Sequence, residues 1–102
     1  MNFILIYITN PDKKTALKIA RHLLEKRLIA CGNIYKSDSL YHWRGEIVKE
    51  GEYILIAKTI AKNYEKVKKE VEKIHPYKIP CIVRITASAN KKYLKWLKGK
   101  TN

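Results

Sequence analysis

Two long extended segments near the middle of the chain constrain its fold more than any other feature. The first runs from Leu28 through Tyr35 and, after a polar break at Lys36-Ser37-Asp38-Ser39, resumes at Leu40-Tyr41-His42-Trp43. Gly45 permits a tight reversal. Glu46-Ile47-Val48 begins the return, Gly51 allows a bend, and Glu52 to Thr59 completes it. Two arms of about 15 residues would extend about 50 Å, whereas a typical strand has only about five or six residues. A small sheet cannot cover them. The overhang would expose main-chain donors and acceptors together with Tyr41, Trp43 and Tyr53, which invites pairing with another copy of the chain. A closed ring is the economical form of such pairing. The local alternative is that Trp43 packs on its own domain.

The flanking segments supply the rest of a sheet and its cover. Phe3 to Ile8 is a continuous apolar and β-branched run, the signature of a strand buried on both faces. Thr9-Asn10-Pro11-Asp12 ends it with capping oxygens and a proline, and predicts a helix start. That helix runs to about Lys26, with Ala16, Leu17, Ala20, Leu23 and Leu24 forming one stripe. Tyr64, Val67, Val71 and Ile74 recur at steps of three and four, predicting a second amphipathic helix that Pro76 stops. Ile79 to Ser88 reads as the last strand, with Cys81, Val83, Ile85 and Ala87 on one face and Arg84, Thr86 and Ser88 on the other. A short helix from about Asn90 to Leu97 closes the chain. The order β-α-β-β-α-β plus a terminal helix is the α+β, ferredoxin-like split βαβ arrangement. One domain over residues 1–102 is expected, because a chain this short encloses one core, and its 46% apolar content can fill it.

Charge and cysteine usage narrow the partners. Eighteen lysines and four arginines face nine acids, giving a net charge of +13. The lysines are scattered over positions where helices would meet water, so a solvated surface accounts for them. Phosphate and base recognition usually recruits arginine, and the stacking aromatics of RNA-binding sheets are missing. Nucleic acid is therefore not expected as a partner. Neither a basic leader nor an apolar run long enough to span a bilayer is visible, which predicts a cytoplasmic chain without membrane contact. Cys31 and Cys81 show no Cys-x-x-Cys spacing, as suits a reduced compartment. No Gly-rich phosphate loop, Ser/His/Asp set or HExxH motif is present, so no enzyme is predicted.

Several short motifs stand in order over nearly the whole chain: Thr9-Asn10-Pro11-Asp12, Arg27-Leu28-Ile29-Ala30-Cys31-Gly32-Asn33, and Tyr41-His42-Trp43-Arg44-Gly45-Glu46-Ile47. Glu52, Lys58-Thr59, His75-Pro76-Tyr77-Lys78-Ile79-Pro80, and Asn90 followed by Tyr93 and Trp96 continue the series. Together they resemble the CutA family of divalent-cation tolerance proteins. The resemblance implies a ferredoxin-like homotrimer, similar in architecture to PII-type signalling trimers, with clefts between subunits. It also implies a metal-binding role in divalent-cation tolerance and copper homeostasis, with Cu²⁺ or another divalent cation as ligand and no organic cofactor. Some relatives carry a cysteine at the position of Ile8 and a second histidine at that of Ile74. This chain keeps only His75, and it has Lys78 and Cys81 where relatives often have acids.

The candidate residues follow. His75, which ends the second helix, reads either as a helix cap or as a ligand, and Cys81, six residues on, is the thiol to pair with it on a metal. Cys31 reads as a packed thiol in a strand. His42 alternates with Tyr41 and Trp43 onto the other side of its strand, and His22 reads as solvent-facing. Lys58, Tyr77, Trp43 and Arg84 are cleft candidates. Lys58 either pairs with Glu46 or Glu52 or, with Arg84, serves the other functional possibility, a PII-like regulatory trimer binding an anionic metabolite. Tyr41, Trp43, Tyr53 and Trp96 are the candidates for the trimer interface.

Overall fold

The computed structural model describes residues 2–102. Its elements are β1 (Asn2–Asn10), α1 (Lys13–Glu25), β2 (Cys31–Trp43), β3 (Glu46–Thr59), a 3-10 turn (Ala61–Asn63), α2 (Tyr64–Ile74), β4 (Ile82–Ser88) and α3 (Lys91–Lys100). The four strands form one sheet in the order β2-β3-β1-β4, with every neighbouring pair antiparallel. The ferredoxin-like α+β order read from the sequence is the order observed.

β1 lies inside the sheet, so both of its faces need cover, which explains its unbroken apolar run. Ile4, Ile6 and Ile8 point to the first face, where α1 and α2 bury them against Ile19, Leu23, Val67 and Val71. Fully burying each such side chain is worth about 1.5–3 kcal/mol. Phe3 points to the second face and meets Leu94 and Leu97 of α3, with Leu5 packed alongside. α3 covers only one end of that face. Val83 and Ile85 of β4 remain 45% and 41% exposed there, and Tyr35 of β2 is 49% exposed.

Local sequence sets the element ends. Asp12 caps α1 by accepting from the Thr15 N–H at 2.7 Å. At the other end Arg27 turns into the left-handed region (φ 57°). Leu28 N–H then reaches Leu23 O at 3.0 Å and Arg27 N–H reaches Leu24 O at 3.0 Å, a Schellman closure made here without glycine. A buried network fixes the next step. The Leu28 carbonyl accepts from Thr59 Oγ1 at 2.6 Å and from Asn63 Nδ2 at 3.2 Å, tying the start of α2 to the approach of β2.

The hairpin departs from expectation in two respects, the first being that β2 begins at Cys31 rather than Leu28. β2 and β3 pair without interruption from Cys31↔Lys58 to Trp43↔Glu46, so neither Lys36-Ser37-Asp38-Ser39 nor Gly51 breaks a strand. Beyond Tyr53, β3 has lost β1 as a neighbour, and the two strands continue as a ribbon. Both faces of a ribbon meet water, so polar residues fit it and the hydrogen-bond ladder alone keeps it extended. Arg44 and Gly45, with φ of 51° and 81°, make the two-residue turn that matches strand twist. The ribbon gives the molecule its long axis, 46 Å against 25 and 20 Å. β4 starts at Ile82 rather than Ile79, because Pro80 cannot donate to a ladder.

Candidate functional site

The 75–81 segment, freed from the sheet, runs beside the base of the ribbon. Between them lies a groove of about 1080 Å³ on the second face. Its walls come from alternate ribbon residues, since Tyr41 pairs with Val48 and Trp43 with Glu46, which places them on one face with Glu50 and Glu52. Tyr77 and Cys81 supply the opposite wall.

The polar chemistry of the groove is a pair of phenol–carboxylate contacts. Tyr77 Oη donates to Glu52 Oε2 at 2.9 Å, and Tyr41 Oη donates to Glu50. Glu52 is buried. Burial first, then the hydrogen bond to Glu52, pushes the Tyr77 phenol far above the ordinary tyrosine range. The Cys81 thiol is pushed up by burial and by the nearby Glu52 charge, while its contact with Thr9 pulls the other way. Tyr7 rises for the same leading reason, burial, with Tyr35, Cys81 and Glu52 adding to it. Glu50 and Glu52 thus share one groove with the Cys81 thiol, and Lys78 also belongs to its lining.

His75 stands behind this wall. Its Nε2–H donates to the Thr9 carbonyl at 2.8 Å, and its Nδ1 accepts the Tyr77 N–H at 3.1 Å. The first bond needs a proton on Nε2 and the second a lone pair on Nδ1, so the tautomer is fixed. Neither ring nitrogen is free for a metal in this conformation. In this conformation His75 ties the end of β1 to the 75–81 segment, and its ring lies tilted against that of Tyr77 with the centroids 4.8 Å apart. Cys81 also lies against Thr9. Among the described residues no group of three or more His, Cys, Asp or Glu side chains could hold a metal ion.

The remaining candidates disperse. Lys58 pairs with Leu5 and Cys31 across the sheet, and its ammonium sits 5.7 Å from the Tyr93 ring, so it meets neither Glu46 nor Glu52. Arg84 stacks 5.7 Å from the Tyr64 ring on the first face, behind the groove. Neither belongs to the groove within one chain. Trp43 is 59% exposed, with the Arg44 guanidinium 5.7 Å from its ring, so it does not pack on its own domain. Tyr53 lies on the opposite face from Tyr41, and its carbonyl accepts from Asn10 Nδ2 at 3.1 Å. Trp96 sits on α3, 5.6 Å from the Tyr93 ring. Cys31 is half-buried and free. His42 is exposed on the other side of the ribbon, opposite Ile47. His22, expected to face solvent alone, bonds Glu70 of α2 at 2.9 Å.

Glu50 was absent from the sequence candidates for the groove, and Glu52 entered only as a possible partner of Lys58. The signal that could have found them is the period of two from Trp43's partner Glu46 through Val48, Glu50 and Glu52.

Comparison with known proteins places this geometry in a family. Residues 4–100 match the family model described as CutA1 divalent ion tolerance protein. The divalent-cation tolerance protein CutA of Thermotoga maritima is 42% identical over 96 residues, covering 93% of this chain and 95% of the relative. The crystal structure of CutA1 from Pyrococcus horikoshii superposes with a TM-score of 0.93 at 38% identity, covering 97% and 98% of the two chains. The periplasmic divalent cation tolerance protein CutA of Archaeoglobus fulgidus gives 0.92 at 38% identity, covering 98% of each. With the family model spanning almost the whole chain and the sheet, ribbon and terminal helix superposing, this protein belongs to the CutA1 divalent-ion tolerance family.

Proposed function

We propose that the chain works in divalent-cation tolerance, copper included, as a homotrimer that binds its ion rather than transforming a substrate. The observation that carries this is the uncovered ribbon. Residues Glu46–Glu52 of β3 have β2 on one side and no strand on the other, and Trp43, Leu40 and Ile47 are 59%, 67% and 69% exposed. An edge of that length with apolar side chains on both faces is a liability in a monomer and an asset in a closed ring.

Ion binding follows from what one chain lacks. Glu50, Glu52 and Cys81 bring carboxylate and sulfur to one groove, a mixed donor set suited to borderline ions. These are fewer organised donors than a closed site needs, so the site is completed by a neighbouring copy. Cys81 and Glu52 act as ligands, and His75 holds Tyr77 in place. An anionic metabolite in the same groove would meet Glu50 and Glu52, with Lys78 as the lining cation while Lys58 and Arg84 lie elsewhere, so the regulatory alternative is the weaker reading. Among the described residues no helix is long and apolar enough to cross a membrane. Two unpaired thiols favour the cytoplasm as the compartment.

Two measurements test this. Light scattering should give three times the chain mass, and Trp43→Glu should lower it. Calorimetric titration with Cu²⁺ and other divalent ions should show binding that Cys81→Ser and Glu52→Gln weaken at least tenfold. A monomer with unaltered ion affinity in both variants would overturn the proposal.

A further inference from the structure

The first face carries a second concavity, a groove of about 380 Å³ between α2 and the 26–28 segment that follows α1. Lys26, Lys66, Lys69 and Lys73 line it together with a single acid, Glu70, over Leu28. Lys66, Lys69 and Lys73 follow steps of three and four, so they form a row along one side of α2 about 10 Å long. Glu70 does not simply cancel them. Its two oxygens hold Lys73 at 3.0 Å and Lys26 at 3.2 Å, with His22 at 2.9 Å, and three donors draw its pKa down to about 2. The carboxylate thus pins two ammoniums from different helices to one spot. Lys66 and Lys69 make no ion pair among the described residues, in contrast to Lys68, which meets Glu65 at 3.0 Å.

Four lysines line one groove whose single carboxylate is already engaged by Lys26, Lys73 and His22, so their charges repel one another unless an anion approaches. We propose that this groove beside α2 docks the phosphodiester backbone of single-stranded nucleic acid, with Lys66 and Lys69 as the free contacts and Lys26 and Lys73 as the pinned ones. Arginines and stacking aromatics, whose scarcity set nucleic acid aside in the sequence, are not needed for binding that reads only the backbone charge, which lysine ammoniums also meet. A flexible strand can follow a narrow concavity, whereas a rigid duplex meets only its rim. A lipid surface is disfavoured, since none of the large exposed apolar side chains lines this groove. The groove lies on the opposite side of the sheet from the phenol–carboxylate site, so docking there does not depend on the cation-tolerance proposal.

The test uses the full chain and a labelled single-stranded DNA of mixed sequence, read by fluorescence anisotropy across a salt series. Four backbone contacts predict a slope of about −3 in log affinity against log salt, roughly a fiftyfold loss between 50 and 200 mM. Lys66→Ala with Lys69→Ala, both on exposed positions, should halve the slope and weaken binding roughly tenfold at low salt. Lys92→Ala with Lys95→Ala on α3 removes the same charge and should leave the slope within experimental error. Circular dichroism confirms that each variant is folded. Equal losses in the two double variants, no binding at 50 mM salt, or groove-dependent capture by phosphatidylserine vesicles in preference to the strand would each overturn the proposal.

Discussion

His75→Ala separates a structural tie from a metal ligand. The imidazole is 8% exposed and serves two main-chain groups, the Thr9 carbonyl and the Tyr77 N–H. Truncation orphans both. An unsatisfied buried polar group costs about 1–3 kcal/mol, water entering the vacated space recovers part of that, and lost ring packing adds to it. The net expectation is about 3 kcal/mol. At about 4–8 °C per kcal/mol for a domain of this size, Tm should fall by about 12–24 °C. Differential scanning calorimetry at one fixed protomer concentration measures it, because an assembling protein's Tm varies with concentration. His75→Gln, whose amide can still donate to Thr9, should recover about half of the loss. Copper titration well below the transition should change by less than about threefold in dissociation constant, since no ring nitrogen is available to the ion. An unchanged Tm with at least a tenfold loss of copper affinity would refute the reasoning and return His75 to the ligands.

Other expectations rest on separate features. Glu70 titrates at about 2 when folded against an ordinary value of 4.5, so its stabilisation is fully present above about pH 4.5 and is lost as pH falls towards 2. The Tm gap between wild type and Glu70→Gln should therefore close over that window, and a constant gap would contradict it. In Gly32→Ala the new Cβ would lie 3.0 Å from Leu55 Cδ1 and 3.5 Å from Ala20 Cβ. About 1–3 kcal/mol of destabilisation should follow, with an unchanged denaturant midpoint as the contrary result. Thr59→Val keeps the side-chain shape but removes one donor to the Leu28 carbonyl and the acceptor for Asn63 Nδ2, costing about 2 kcal/mol by chemical denaturation. Ultraviolet titration should find Tyr77 still protonated when an ordinary tyrosine has ionised. Its raised pKa makes stability fall as pH rises above about 10, and Tyr77→Phe should remove that part of the fall.

Where burial dictated residue choice, the sequence was readable. The unbroken apolar run of β1 matched a strand covered on both faces, and steps of three and four located α1 and α2, although Leu17 and Leu24 of the expected α1 stripe stay exposed and Ile19 is buried in their place. The polar stretch Lys36–Ser39 misled because outside the core polarity does not distinguish a loop from a wet ribbon. Apolar Ile79 reads as strand, whereas Pro80 after it keeps the ladder from starting before Ile82. The site was less legible for a physical reason. Tyr77 and Glu52 are 25 residues apart and His22 and Glu70 are 48 apart, and each meeting depends on the route of an intervening segment. His75 looked like a ligand because its residue type allows that role, whereas its two hydrogen bonds belong to the path of the chain.

The sheet order bears on how the protein emerges from the ribosome. β1 is synthesised before its partners, residues 53–59 of β3 and 82–88 of β4. The nascent chain therefore carries its most apolar strand without either neighbour until residues 53–59 have been made, and without the second until residue 88 has followed. The β2–β3 ribbon, whose contacts are local, can zip up in the meantime and wait as a template. Contact order of this kind slows folding and leaves a sticky segment open to passing chains. Chaperone demand during synthesis should therefore follow the N-terminal strand more closely than the long ribbon that dominates the finished molecule.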